Sequence, residues 1–248
     1  NDLDPLPVGE ARWTVLTNGD GRVIDHLHLA STVGGLWCIT SEGRANAVAE
    51  WLDLYTFGED IAVENMTKAI AHFAIIGPEA SRAVRAAGFD PPELSATSST
   101  ANVTVVRGPF GEHDAYDILA PETQRESIVR VLRDAAIEVD ADAFEAYRIS
   151  QGVPKYGSEF GDFNNPLEAR LLGSISGDKG CYTGQEVIAR LQTYRKVQRL
   201  LMAFESSAPI VIGEALTTED GTPVGSVTSA SRRLDGHIVG LALVRTKH

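Results

Sequence analysis

The densest run of reactive side-chain types in this 248-residue chain is Lys179-Gly180-Cys181-Tyr182-Thr183-Gly184-Gln185-Glu186. Thr183 and Glu186 read as a T-x-x-E capping box ahead of the apolar Val187 and Ile188, so a helix is expected to start there. Cys181 then lies just before a helix N-terminus and two residues from Lys179. A positive helix end and a nearby ammonium both favour the thiolate, the form a reactive cysteine needs. The competing reading is a tight turn carrying an inert thiol. Cys38, between Trp37 and Ile39, reads as plain core.

A second segment, Asn164-Asn165-Pro166-Leu167-Glu168, also reads as a helix start. Asn165 suits the N-cap, Pro166 the first helical position, and Glu168 would turn its carboxylate to the positive helix end. Residues 148–199 hold eight basic and five acidic side chains, a net of +3 in a chain whose formal charge is −12, which leaves −15 elsewhere. Such a positive island is a location for carboxylates, phosphates or RNA, unless it is simply a solvated basic face. Asp25, on a strand leaving a hairpin, is either a charge-bearing site residue or a solvated one. His26 and His28 are two apart on the same strand and share a face, but no third ligand accompanies them. Gly173-x-x-x-Gly177-Asp178-Lys179 lacks the spacing of a phosphate loop, and neither a nucleophile elbow nor a dinucleotide fingerprint occurs. With only two cysteines, far apart, neither a zinc site nor a cluster held wholly by this chain is supported, and no metal site is expected.

The elements that must position these residues are mixed. Arg12–Leu16 and Arg22–Leu29 read as strands around the hairpin signal Asn18-Gly19-Asp20-Gly21, with a third strand over Gly35–Thr40 and a helix from about Arg44 to Leu54. From Ala71 the order becomes strand, helix (Glu79–Ala87), strand (Asn102–Arg107), strand (Ala115–Leu119) and helix (Glu122–Ala136). Asp90–Ala101, rich in Pro, Ser and Thr, reads as a loop between them. This β-α-β-β-α order has the character of a split βαβ, ferredoxin-like layer. Gln151–Phe163 is Gly-rich loop. The last 50 residues or so alternate short apolar runs with turns, as in a small antiparallel β-barrel.

Composition bounds the rest. The chain is 43% hydrophobic and 23% charged, enough apolar content for a packed core and too much for global disorder. Five lysines stand against 17 arginines. The acidic surface as a whole repels nucleic acid and acidic membranes. No apolar run approaches the roughly 18–20 residues of a membrane helix, and the acidic Asn1-Asp2-Leu3-Asp4 start carries no signal-peptide pattern, so a soluble, cytoplasmic protein without membrane partners is expected. The start directly on a loop, without methionine, leads us to expect further residues upstream.

Lys179 to Glu186 resembles the K-G-C-Y-x-G-Q-E signature of the YgfZ-type folate-binding proteins, relatives of the glycine-cleavage T-protein (aminomethyltransferase). Asn165-Pro166-Leu167-Glu168 is similar to the N-P-x-E segment of that family, and Tyr147-Arg148-Ile149 with Gly152 and Pro154 is similar to its L-R-I-x-x-G-x-P. Thr17 to Asp25 resembles the hairpin that carries an acid over the folate, and Asp220-Gly221-x-Pro223-Val224-Gly225 fits the terminal barrel.

The resemblance implies an α+β fold with ferredoxin-like α/β layers around a central folate channel, a C-terminal small antiparallel β-barrel, and an N-terminal part of the family fold missing from this chain. The expected divisions are a partial folate-binding subdomain at 1–64, a ferredoxin-like domain with the signature at 65–192, and the barrel at 193–248. It implies tetrahydrofolate, or a one-carbon derivative of it, as cofactor. The leading function is an accessory protein for iron–sulfur cluster assembly or repair, with a link to tRNA modification. The alternative is a tetrahydrofolate-dependent aminomethyltransferase or related demethylase. Cys181, Lys179 and Asp25 are the expected catalytic residues, and Asp25, Glu168, Tyr182, Gln185 and Arg190 the expected cofactor-binding ones. Partners would be the folate, iron–sulfur client proteins or a lipoyl carrier protein. A third class, a scaffold binding protein or RNA through the Arg190–Arg199 face, stays open. T-proteins carry an Asp-Asp pair where this chain has Asp25-His26, which weakens the transferase reading.

Overall fold

The computed structural model describes residues 3, 5–100, 102–177, 180–194, 196–233 and 236–246. The elements begin with strands β1 (Ala11–Thr17), β2 (Val23–Thr32) and β3 (Gly35–Ile39), then helix α1 (Ala45–Leu54). Strand β4 (Ile70–Ile76) and helix α2 (Ala80–Ala86) follow, then strands β5 (Thr97–Thr100), β6 (Val103–Phe110) and β7 (His113–Pro121). Next come helices α3 (Arg125–Ala135), α4 (Ala141–Ser150) and α5 (Gln185–Thr193). Strands β8 (Arg199–Ser206), β9 (Ala215–Thr217), β10 (Pro223–Arg232) and β11 (Ile238–Arg245) complete the chain. No helix among the described residues is long and apolar enough to cross a membrane.

The chain divides into two compact units, one of Val15–His26 with Val139–His248, the other of Leu3–Thr14 with Leu27–Glu138. In the latter, antiparallel neighbours run in the order β4-β7-β6-β5. Strand β7 sits between β4 and β6, which run parallel to each other as in a split βαβ unit, while β5, the strand that follows α2, takes the far edge. Beneath the sheet, Ile75, Val103, Val105, Tyr116 and Ile118 form one buried cluster with Ala80, Ala83 and Val84 of α2 and Ile128 of α3. Leu132 and Ala135, one and two turns from Ile128, pack against it. A smaller cluster of Ala11, Ala30 and Val106, joined by Trp37 and Ile39, backs the β1-β2-β3 sheet.

Two elements here differ from the sequence expectation. Strand β5 occupies part of the Asp90–Ala101 stretch expected to be loop. Its Thr and Ser residues suit an edge strand paired to β6, which supplies the apolar partners. Helix α4 has no counterpart among the expected elements; Asp140 caps it, its side chain accepting from the Ala143 amide at 2.8 Å.

In the other unit, β8-β11-β10-β9 is a four-stranded antiparallel sheet over the C-terminal segment, where a small antiparallel β-barrel was expected. A register shift between Val227 and Ser229 bends β10. Ile149 of α4 packs with Leu201, Val239, Leu241 and Leu243 of this sheet. A second cluster joins Val23 to Phe160, Ala169 and Leu171, so the foot of β2 is anchored to the segment after α4.

Candidate functional site

The hairpin that closes on Asn18 collects the motifs. Its turn is set by the Asn18 side chain, which accepts from the Asp20 and Arg22 amides at 3.0 and 2.9 Å, while Gly21 takes φ +68. On one side Thr17 Oγ1 donates to the Thr183 carbonyl at 2.6 Å, and a Cβ on Gly21 would meet Val187 at 3.2 Å. On the other side the Val23 amide donates to the Asn164 carbonyl at 3.1 Å. Three segments distant in sequence, Thr17–Asp25, Asn164–Glu168 and Thr183–Val187, therefore meet at one turn within one unit.

Asp25 sits on β2 just beyond this junction. Its side chain is 0% exposed and accepts from the His26 amide at 2.8 Å. His26 lies against Ser174, with Nε2 and Oγ 2.8 Å apart, and edge-on to Phe160. His28 goes elsewhere. Within the other unit it stacks on Trp13 with centroids 4.3 Å apart and approaches Asp117, whose second oxygen lies 2.8 Å from His72 Nε2. Burial pushes the Asp117 carboxyl up, but hydrogen bonds and charge from His28 and His72 outweigh it and hold it down to about 2.

The Asn165 segment makes the capping contacts its sequence suggests, but residues 166–170 form only a turn and the expected helix does not follow. Asn165 Oδ1 accepts from the Leu167 and Glu168 amides at 3.0 and 3.1 Å, and Glu168 Oε2 accepts in return from the Asn165 amide at 3.3 Å. This is a reciprocal capping box built with asparagine. Glu168 is buried, and Arg199 meets its carboxylate at 3.3 and 3.4 Å.

The signature helix starts differently from expectation. Gly184 at φ +84 is the N-cap of α5, and no side chain caps it, so Thr183 and Glu186 do not form the expected box. Thr183 is committed instead to Thr17 through its carbonyl, and the Asn18 carbonyl lies where a Cβ of residue 184 would go, 2.5 Å away. Gln185 opens α5 half-buried, and Arg190 is exposed further along it. Tyr182 is half-buried, and that burial pushes its phenol up. Cys181 is exposed and lies three residues ahead of the N-cap. Lys179, with Asp178, lies outside the described residues.

The loop between these parts hangs on a buried ion pair. Arg148 Nη1 reaches Glu159 Oε2 at 3.0 Å, with the two side chains 3% and 0% exposed. Ser229 Oγ and the Lys155 amide complete the shell of Glu159 at 2.6 and 3.0 Å. Charge and polar partners are thus all supplied at a site where an unpaired carboxylate would be costly. The sequence reading did not anticipate Ser174 beside His26, nor that Arg22 and Arg199 share one acceptor, the Phe163 carbonyl, at 3.3 and 3.2 Å. Such pairings depend on tertiary proximity and have no spacing signature.

Comparison with known proteins gives a consistent picture. The family model for the GCVT N-terminal domain matches residues 1–179. A putative chloroplastic transferase of Arabidopsis thaliana is 28% identical over 98% of this chain and 59% of its own length. An aminomethyltransferase of Herpetosiphon aurantiacus is 24% identical over 92% of this chain and 66% of its own. The chain thus spans less than two thirds of either relative. The crystal structure of the glycine cleavage system aminomethyltransferase T from Bartonella henselae superposes with a TM-score of 0.83 at 20% identity, covering 97% of this chain and 69% of that one. At that identity the likeness is one of fold.

Proposed function

The chain belongs to the GCVT N-terminal domain family, and on that premise we propose that it binds tetrahydrofolate and serves as an accessory protein in iron–sulfur cluster assembly or repair. The observation that carries the folate reading is the convergence of three motifs on one hairpin, with the carboxylate of Asp25 fully buried just beyond it. The amide edge of a pterin offers N–H donors to a carboxylate acceptor. The donor set therefore fits the cofactor: Asp25 and Glu168 as acceptors, Tyr182, Gln185 and Arg190 around the start and face of α5. When bound, tetrahydrofolate supplies nitrogen atoms able to carry a one-carbon unit. The protein's part is to hold the ring, keep the Asp25 carboxylate oriented through the His26 amide, and present the thiol of Cys181 at the surface.

The accessory role rests on Cys181, exposed on the signature segment. The second reading, aminomethyl transfer, is favoured by the relatives named aminomethyltransferase. His26 weighs against it: the position after Asp25 offers an imidazole engaged with Ser174 rather than a second carboxylate. Calorimetric titration with tetrahydrofolate tests the shared premise, and no binding at sub-millimolar ligand overturns both readings. Cys181→Ser should then fail to restore iron–sulfur enzyme activity in a deletion strain. Full rescue by the serine variant overturns the accessory role, and turnover of an aminomethylated lipoyl carrier establishes the transferase.

A further inference from the structure

A sheet that does not close on itself has edges, and folded proteins blunt them with short strands, lysine, proline, a bulge or a covering segment. Several edges of this chain are protected so. β3, β5 and β9 are short, at five, four and three residues. β8 is covered at Leu201, whose amide donates to the Glu168 carbonyl at 2.8 Å and whose carbonyl accepts from Arg170 Nε at 2.5 Å. β4 has none of these devices. It ends the order β4-β7-β6-β5, runs for seven residues as Ile-Ala-His-Phe-Ala-Ile-Ile, and keeps an unshifted register with β7 throughout.

The groups on its open side can be identified. The Gly77 amide donates to the Asp114 carbonyl, and the Glu122 amide to the Ala69 carbonyl. In an antiparallel ladder bonded pairs recur at every second residue, so Ala71, Phe73 and Ile75 turn their N–H and C=O groups to β7. His72, Ala74 and Ile76 turn theirs away from the sheet, and no backbone partner meets them among the described residues. His72 and Ala74 are exposed.

The strand is also complementary to itself. Paired antiparallel about Phe73, it sets His72 opposite the partner's Ala74 and Ile70 opposite the partner's Ile76, each pair offering its outward groups. The two Phe73 side chains meet across the axis, and no like charges face each other along the strand. The charges nearby are already matched: His72 Nε2 lies 2.8 Å from Asp117, and Arg125, 5.6 Å over the Phe73 ring, is paired with Glu122. Beyond the strand ends, the same register carries the turn with Lys68 towards the partner's Glu79, which is opposite in charge.

We propose that β4 is a homodimer interface, in which two copies of this chain pair their β4 strands antiparallel about Phe73 and merge two four-stranded sheets into one. The interface does not depend on the folate reading. Sedimentation velocity of the full chain under reducing conditions, from about 1 to 500 μM, tests it. One strand pairing is smaller than a standard interface, so the wild type should dimerise with a Kd on the order of tens of micromolar. Ala74→Pro removes an outward N–H and sets a ring on the edge, and Ala74→Lys adds a charge there. Each should weaken dimerisation about ten-fold or more, while Thr100→Lys, on the β5 edge, should leave it unchanged. Hydrogen exchange of the wild type decides the matter even if neither Ala74 variant folds: the His72, Ala74 and Ile76 amides should gain protection as concentration rises, and the β5 amides should not. A wild type that stays monomeric at the highest concentration overturns the proposal. So does a dimer that persists in both Ala74 variants, or exchange at the β4 edge that is independent of concentration.

Discussion

Replacing Gly184 by alanine probes how closely the signature helix approaches the hairpin. Two costs can be separated. The first is conformational: at φ +84 an alanine occupies the left-handed region, at about 1–2 kcal/mol. The second is steric: the new Cβ would lie 2.5 Å from the Asn18 carbonyl oxygen and 2.9 Å from the Gly21 Cα. Both obstacles are backbone, so no side chain can swing away, and the hairpin or the helix start must shift, at about 1–3 kcal/mol by analogy with overpacked cores. Gly213 supplies the control. Its φ is +87, and nothing lies within 4 Å of the position a Cβ would take. Gly213→Ala should therefore lose about 1–2 kcal/mol, and Gly184→Ala about 2–5 kcal/mol. All three tryptophans, Trp13, Trp37 and Trp51, lie in the other unit, so a probe within α5 itself is needed. Native-state hydrogen exchange of the α5 amides is such a probe. If the two variants lower α5 protection equally, within about 0.5 kcal/mol, the close approach is wrong.

Two more perturbations test the charged interior. For Asp117, a folded pKa held near 2 against an unfolded value of 3.8 gives stability that is complete above about pH 4 and is lost as pH falls through 2, about 2–3 kcal/mol in all. Asp117→Asn should flatten the fall of the urea midpoint between pH 4 and 2, and an unchanged slope would contradict the His28–Asp117–His72 arrangement. For the buried ion pair, Arg148→Met leaves the Glu159 carboxylate without its cation and should cost about 3–5 kcal/mol. Adding Glu159→Gln should recover part of that loss in denaturant unfolding; a double variant weaker than the single one by the full second increment would show that the two residues act independently.

The residues differ in how far local sequence could announce them. Asn165 and Glu168 are three apart and interact with each other's backbone, so their capping geometry is written in neighbouring residues. The hairpin at Asn18–Gly21 is local in the same sense. Thr183 and Glu186 carry an equally good local signal, yet the box does not form: Gly184 is the N-cap of α5, and the Thr183 carbonyl accepts from Thr17, 166 positions away. Strand β5 fails for a related reason: four Thr and Ser residues have no apolar alternation to show, and their strand state is imposed by pairing with β6. Arg22 was visible as a hairpin residue and Arg199 as a member of a basic region, but their shared acceptor is a backbone carbonyl, which any residue at 163 would provide.

The division of the chain also has a temporal side. The unit formed by Leu3–Thr14 with Leu27–Glu138 precedes position 139 throughout, whereas the hairpin segment Val15–His26 belongs with Val139–His248. At the about 5–20 residues per second of synthesis, Asp25 precedes residue 139 by on the order of ten seconds. During that interval Thr17 has no Thr183 and Val23 has no Asn164. Part of the proposed ligand site is thus made well before the segments that partner it. A nascent chain halted before residue 164 would carry the hairpin without the Asn164 and Thr183 carbonyls that engage it.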